Sequence, residues 1–171
     1  DGALDKFDEK GGWTSQWSED EQQVTASPAS PFGMAKREEV TLEKSDWELR
    51  LQSGDPVLAM HIPEGKDMTA EDCGESMRKA NEFFPKYFPD RPFKALVCAS
   101  WIFNTQLEDI LGPHSNLVGY MRELYLYPHR SNGKAGFYFV WYKEDVDPAT
   151  APRDTRLRRA YLDYLERGIP I

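Results

Sequence analysis

The chain is poor in several features that define whole protein classes. Its 171 residues include only two cysteines and three histidines. One pair of thiols is no disulfide framework in a chain long enough to build its own core, so Cys73 and Cys98 read as reduced thiols and the protein as cytoplasmic. His61, His114 and His129 are scattered, and no Cys or His falls at zinc spacing, so no metal is expected. The longest nearly unbroken apolar run, Ala95 to Phe103, is far short of the ~20 residues a spanning helix needs, and no membrane partner is expected. Cations are also scarce: 21 Lys and Arg stand against 29 Asp and Glu, for a net charge of −8, and residues 1–55 alone carry −7. Nucleic-acid surfaces depend on clustered Lys and Arg, which argues against such a partner.

What remains is an ordinary globular composition, 40% hydrophobic and 13% aromatic. The length suits one domain over residues 1–171. The chain opens at Asp1 with neither an initiator Met nor a basic-then-apolar leader, so the expectation is a fragment with a segment missing upstream.

Three subregions are expected. In residues 1–55, the stretch 11–35 carries Trp13, Trp17 and the acidic turn Glu19-Asp20-Glu21, and reads as a hairpin followed by a loop. Alternation at Val40 and Leu42 marks a half-buried strand, and Ser45 with Glu48 forms a capping-box pattern for a short helix ending at Gly54.

Residues 56–145 read as a β-α-β-α-β-β core. Pro56 to Ile62 is expected to be a buried strand, followed by a helix capped at Thr69 and Asp72 and kinked or ended by Pro85. Phe93 to Ala99 is a second buried strand. Asn104 or Thr105 caps a further helix through Leu107, Ile110 and Leu111, and Ser115-Asn116 starts another turn. Tyr125–Tyr127 and Phe137–Tyr142 read as a closing strand pair joined by the turn Ser131-Asn-Gly133. Last, residues 153–168 form an amphipathic helix capped by Asp154 or Thr155. This order implies an α+β fold with one mixed sheet.

The turn from Ile62 to Ala70 leaves a strand and enters a helix, where free N–H groups and the helix dipole favour an anion. Gly65 permits close approach and Lys66 adds charge, while Glu64 and Asp67 oppose a phosphate; an ordinary strand-to-helix turn is the alternative. Cys98 or Ser100, with His61 on the neighbouring strand, would be a nucleophile and base pair, with simple burial the alternative for Cys98. Tyr120 is a phenol placed for proton donation. The arginines of the last helix read as its solvated face.

Several blocks in order, Asp55-Pro-Val-Leu-Ala-Met-His-Ile-Pro-Glu-Gly65, Phe83-Phe-Pro-Lys-Tyr-Phe-Pro89, Pro92-Phe-Lys-Ala-Leu-Val-Cys-Ala-Ser-Trp101, Gln106-Leu-Glu-Asp-Ile-Leu-Gly-Pro-His-Ser-Asn116 and Pro152-Arg-Asp-Thr155, carry a family resemblance. The chain resembles the GNAT-like C-terminal domain of bacterial two-domain acyltransferase domain-containing proteins. The resemblance implies a mixed, mostly antiparallel β-sheet with a splayed central parallel strand pair, helices packed on both faces, and an N-terminal domain upstream as partner. It further implies acyl-CoA or acetyl-CoA as co-substrate in the gap between the two strands, and a small-molecule amine as acceptor. By position, Ile62, Gly65, Lys66, Met68, Thr69, Ala70, Ser100, Trp101 and Asn104 would bind the CoA. His61 or Glu64 would be the base and Tyr120 the acid.

GNAT enzymes carry a (Gln/Arg)-x-x-Gly-x-(Gly/Ala) turn, whereas Gly65 stands here alone among acidic neighbours. Two readings therefore stand: an acyltransferase, or a catalytically degenerate GNAT fold acting as a binding or structural module. A homodimer also stays open.

Overall fold

The computed structural model of the chain describes residues 15–63, 65, 67–129, 133–169 and 171. Trp13 of the expected hairpin, and Ser131 and Asn132 of the expected turn, lie outside them.

The N-terminal hairpin is present as β1 (Trp17–Glu19) and β2 (Gln23–Ala26), and β3 (Val40–Glu43) adds to it antiparallel. Asp20 makes the turn: its Oδ1 accepts the N–H groups of Gln22 and Gln23 at 2.8 and 2.7 Å, and these bonds hold its carboxyl below the usual range. Opposite β3, Val24 faces Leu42, and the Thr25 and Thr41 hydroxyls bond at 2.8 Å. Such cross-strand pairs fix register on an exposed sheet.

The expected helix from Ser45 does not form. The Ser45 hydroxyl donates to its neighbour Asp46 instead of capping the amide of Glu48, and one turn of backbone bonds to Glu43 O is all that follows β3. Trp47, Leu49 and Leu51 stay exposed, so no core contact supports a helix there.

β4 (Val57–Ala59) pairs parallel with β5 (Ala95–Val97), with α1 (Ala70–Tyr87) between them in sequence. This pair is a second ladder, separate from β1-β2-β3, so the antiparallel and parallel strands do not make one continuous sheet. β4 is also not the buried strand its apolar run suggested; Val57 and Ala59 are exposed. Val57 and Ala59 share one face, the exposed one, while Leu58 on the opposite face is half-buried. α1 begins as expected, with Thr69 Oγ1 accepting Asp72 N–H at 3.1 Å, and continues past Pro85 to Tyr87.

A 3₁₀ turn at Trp101–Phe103 leads into α2 (Gln106–Leu111) and α3 (Asn116–Arg122). The expected closing strand pair is overturned. Residues Lys134–Trp141 form a helix, α4, and Leu126 instead bridges to Phe32, its N–H donating to Pro31 O at 2.8 Å. A short apolar run satisfies either period, and tertiary contact decides between them. The helix sets Phe137 and Trp141 against Tyr161 of α5 (Arg156–Glu166), with ring centroids 5.6 and 6.0 Å apart. Thr155 caps α5, accepting Arg158 N–H at 3.1 Å. Leu107, Ile110, Val140, Trp141, Tyr161 and Leu162 form the core, so it lies in the helical C-terminal half.

Candidate functional site

Between β4 and β5 the ladder runs from Lys94 N–H on Pro56 O to Met60 N–H on Val97 O, the latter at 2.8 Å. Beyond that bond no backbone hydrogen bond joins the two chains among the described residues. The strands therefore part at their carboxyl ends, where ligands collect in parallel sheets.

The first chain leaving this point is His61 to Thr69. His61 is exposed and Ile62 half-buried; Glu64 and Lys66 lie outside the described residues. Gly65 has φ +75°, in the left-handed region that glycine adopts at little cost, and a Cβ there would meet nothing within 4 Å. Met68 and Thr69 are half-buried and Ala70, the first residue of α1, is exposed. Thr69 takes the amide of Asp72 with its side chain and that of Cys73 with its carbonyl. The amides of Ala70 and Glu71 have no protein acceptor among the described residues. They open on the positive end of an 18-residue helix whose first turn also carries the anions Glu71 and Asp72.

The second chain leaves β5 through Cys98 and Ser100. Ser100 is half-buried, and its carbonyl accepts Phe103 N–H at 3.2 Å. Trp101 turns inward, stacked on Phe139 at 6.1 Å and edge-on to Tyr161 at 6.4 Å. Asn104 caps α2: its Oδ1 accepts Gln106 N–H at 3.0 Å while its amide donates to Gln106 Oε1 at 2.9 Å. These two side chains are occupied by packing and capping.

Tyr120 lies on α3, which packs against α1. It is only 4% exposed and packs on Phe103 with ring centroids 6.0 Å apart. Burial pushes its phenol above the ordinary value, and the neighbouring Cys73 and Cys98 thiols push it further. The phenol has no hydrogen-bond partner among the described residues, yet no sealed side-chain polar atom there lacks one. Its oxygen therefore reaches open space. Burial also raises both thiols, with the Asp72 carboxylate adding to Cys73. Neither thiol is a ready thiolate, and no hydrogen bond links His61 to Cys98 or Ser100 among the described residues. That removes the support for a Cys98 nucleophile.

The grouping of Cys73, Cys98 and Tyr120 is tertiary, made by α1 and α3 packing beside the end of β5. Sequence spacing carried no signal for it, or for Phe103 as the wall behind the phenol. A cleft of about 450 Å³, lined by Pro85, Phe88, Arg91 and Phe93 among others, lies at the other end of α1. Its lining also includes Ala95 and Leu96 of β5. Among the described residues no group of three or more His, Cys, Asp or Glu is placed to hold a metal, and no helix is long and apolar enough to cross a membrane.

A parallel strand pair that parts beside a capped helix, a separate antiparallel sheet and, among the described residues, five α-helices make a mixed α+β fold. A solved structure described as an acyltransferase in complex with decanoyl-CoA matches 90% of this chain with a TM-score of 0.61 and 21% sequence identity. This chain spans 43% of that protein's length. No curated protein matches the chain. The family model of the GNAT-like C-terminal domain matches residues 7–171, and the chain belongs to that family.

Proposed function

We propose that this domain binds an acyl-CoA where β4 and β5 part and transfers its acyl group to an amine. The observation that supports this reading is the Tyr120 phenol: a buried ring whose oxygen has no protein hydrogen-bond partner among the described residues and whose pKa is raised by burial and by the thiols of Cys73 and of Cys98, the residue that follows β5. The fold shared with a protein solved with decanoyl-CoA supports the choice of ligand.

In this reading the pyrophosphate meets the amides of Gly65, Ala70 and Glu71, with Lys66, Met68 and Thr69 around it. The thioester carbonyl lies near the phenol. The amine nitrogen attacks that carbonyl, the C–S bond breaks, and the departing CoA sulfur takes the phenol's proton. His61 or Glu64 accepts the proton of the amine. Trp101 and Asn104 act behind the site as packing and capping groups, and Ser100 lies beside it. A separate upstream domain belongs to the same proposal as the partner that completes the acceptor site.

Calorimetric titration with acetyl-CoA and with decanoyl-CoA tests the reading, followed by an acyl-transfer assay with simple amines. Binding together with transfer is expected. No heat and no chemical-shift change at saturating acyl-CoA would overturn it.

The second reading, a degenerate module, is favoured by Glu71 and Asp72 at the helix start and by Gly65 as the single glycine of the turn. Binding of acyl-CoA with no transfer to any amine would select it.

A further inference from the structure

After β3 the chain runs from Trp47 to Gln52 without turn, bend or helix. Its two ends are tied: Trp47 N–H donates to Glu43 O at 3.1 Å, and Gln52 N–H to the Asp55 carboxylate at 2.9 Å. Between them, Glu48, Leu49, Arg50 and Leu51 have no backbone hydrogen bond among the described residues. Trp47, Leu49 and Leu51 are 63, 63 and 41% exposed, while the intervening Glu48 and Arg50 pair with each other at 2.9 Å. In a strand alternate residues share a face, so pairing this segment as a strand puts Trp47, Leu49 and Leu51 on one side and Glu48 and Arg50, one charge of each sign, on the other. An unpaired backbone beside a row of large apolar side chains is a template for strand addition.

The sequence of the segment specifies its occupant. Pair it antiparallel with itself about Leu49, and Trp47 faces Leu51 of the other copy while Glu48 faces Arg50, each contact made twice. Shift the register by one residue and apolar side chains face charged ones. Shift it by two and Glu48 meets Glu48, or Arg50 meets Arg50. Parallel pairing in register also sets like charges side by side, which is destabilising. One register alone satisfies both faces, and it is two-fold symmetric. We propose that a second copy of this chain docks here, residues 47–51 of each forming a two-stranded antiparallel ribbon with its axis through Leu49. Such a contact closes at two copies.

Sedimentation velocity of the protein over a concentration series tests this. A monomer–dimer equilibrium is expected, and Leu49→Lys, which sets two ammonium groups on the axis, should weaken it by about tenfold or more. Glu48→Arg or Arg50→Glu alone should weaken it through like-charge pairs. Mixing those two variants should restore association as a heterodimer, because every cross-strand pair is then opposite in sign. All three positions are exposed, so thermal melting should stay unchanged and separate lost pairing from lost folding. A monomer at every concentration, a dimer indifferent to Leu49→Lys, or no recovery on mixing would each overturn the proposal. None of these outcomes bears on acyl-CoA binding.

Discussion

Gly136 of α4 and Tyr161 of α5 are in contact so close that a Cβ at 136 would lie 2.7 Å from the phenol oxygen and 3.0 Å from Cε1. Tyr161 is 2% exposed and fixed between Trp101, Phe137 and Trp141, so it has nowhere to move. Gly136→Ala gains helix propensity of about 1 kcal/mol but overpacks the core, and a net loss of about 1–2 kcal/mol is expected by urea unfolding. Removing the hydroxyl in Tyr161→Phe should relieve part of that loss, a coupling the double mutant would measure.

Arg158 holds the end of α4. Its Nε and Nη2 donate to Val140 O at 3.1 and 2.9 Å, and its Nη1 donates to Asp154 Oδ1 at 2.9 Å. The last carbonyls of a helix need such donors. Arg158→Met should cost about 1–3 kcal/mol by thermal unfolding, and Arg158→Lys should recover only part, because an ammonium cannot reproduce the fork.

Tyr120 separates stability from chemistry. With no protein partner for its hydroxyl among the described residues, Tyr120→Phe should change unfolding free energy by less than about 0.5 kcal/mol. Acyl transfer should fall by about a hundredfold or more while acyl-CoA affinity holds, as steady-state kinetics and calorimetry would read.

Alkali should unfold the domain. Burial raises Tyr120, Tyr161, Cys73 and Cys98. The unfolded chain loses these protons near pH values of about 8.5 for thiols and about 10 for phenols, while the folded chain still holds them. The stability they contribute is complete below that range and is lost as pH rises through the folded values. Urea midpoints should therefore fall from about pH 8.5 upward, and Tyr161→Phe should flatten the decline.

Caps and turns were legible in the residues themselves. Thr69 and Thr155 cap their helices, and the acidic turn at Asp20 closes the hairpin, because each depends on atoms within a few positions along the chain. Val40 and Leu42 marked a strand by alternation, and Cys73 to Tyr87 marked a helix by its period. Ser45 with Glu48 carried the same local signal as Thr69 with Asp72 and formed no helix, since nothing packs on that segment.

Long-range contact decided the rest. Phe137–Tyr142 is apolar enough for a strand or a helix, and it became a helix because Gly136 lets α4 lie directly on Tyr161. The site divides the same way. The turn from Ile62 to Ala70 was read from glycine, proline and cap, and of it the Thr69 cap and the positive φ of Gly65 are seen. Asn104 as a cap of α2 was legible too, its bond reaching only two residues on, whereas that Trp101 faces the core and that Tyr120 lies near Cys73 and Cys98 depends on helices placed by burial far away in sequence. Hydrogen bonds between near neighbours are written in the order of the residues. The partners of a buried ring are chosen only when the whole chain competes for the same interior.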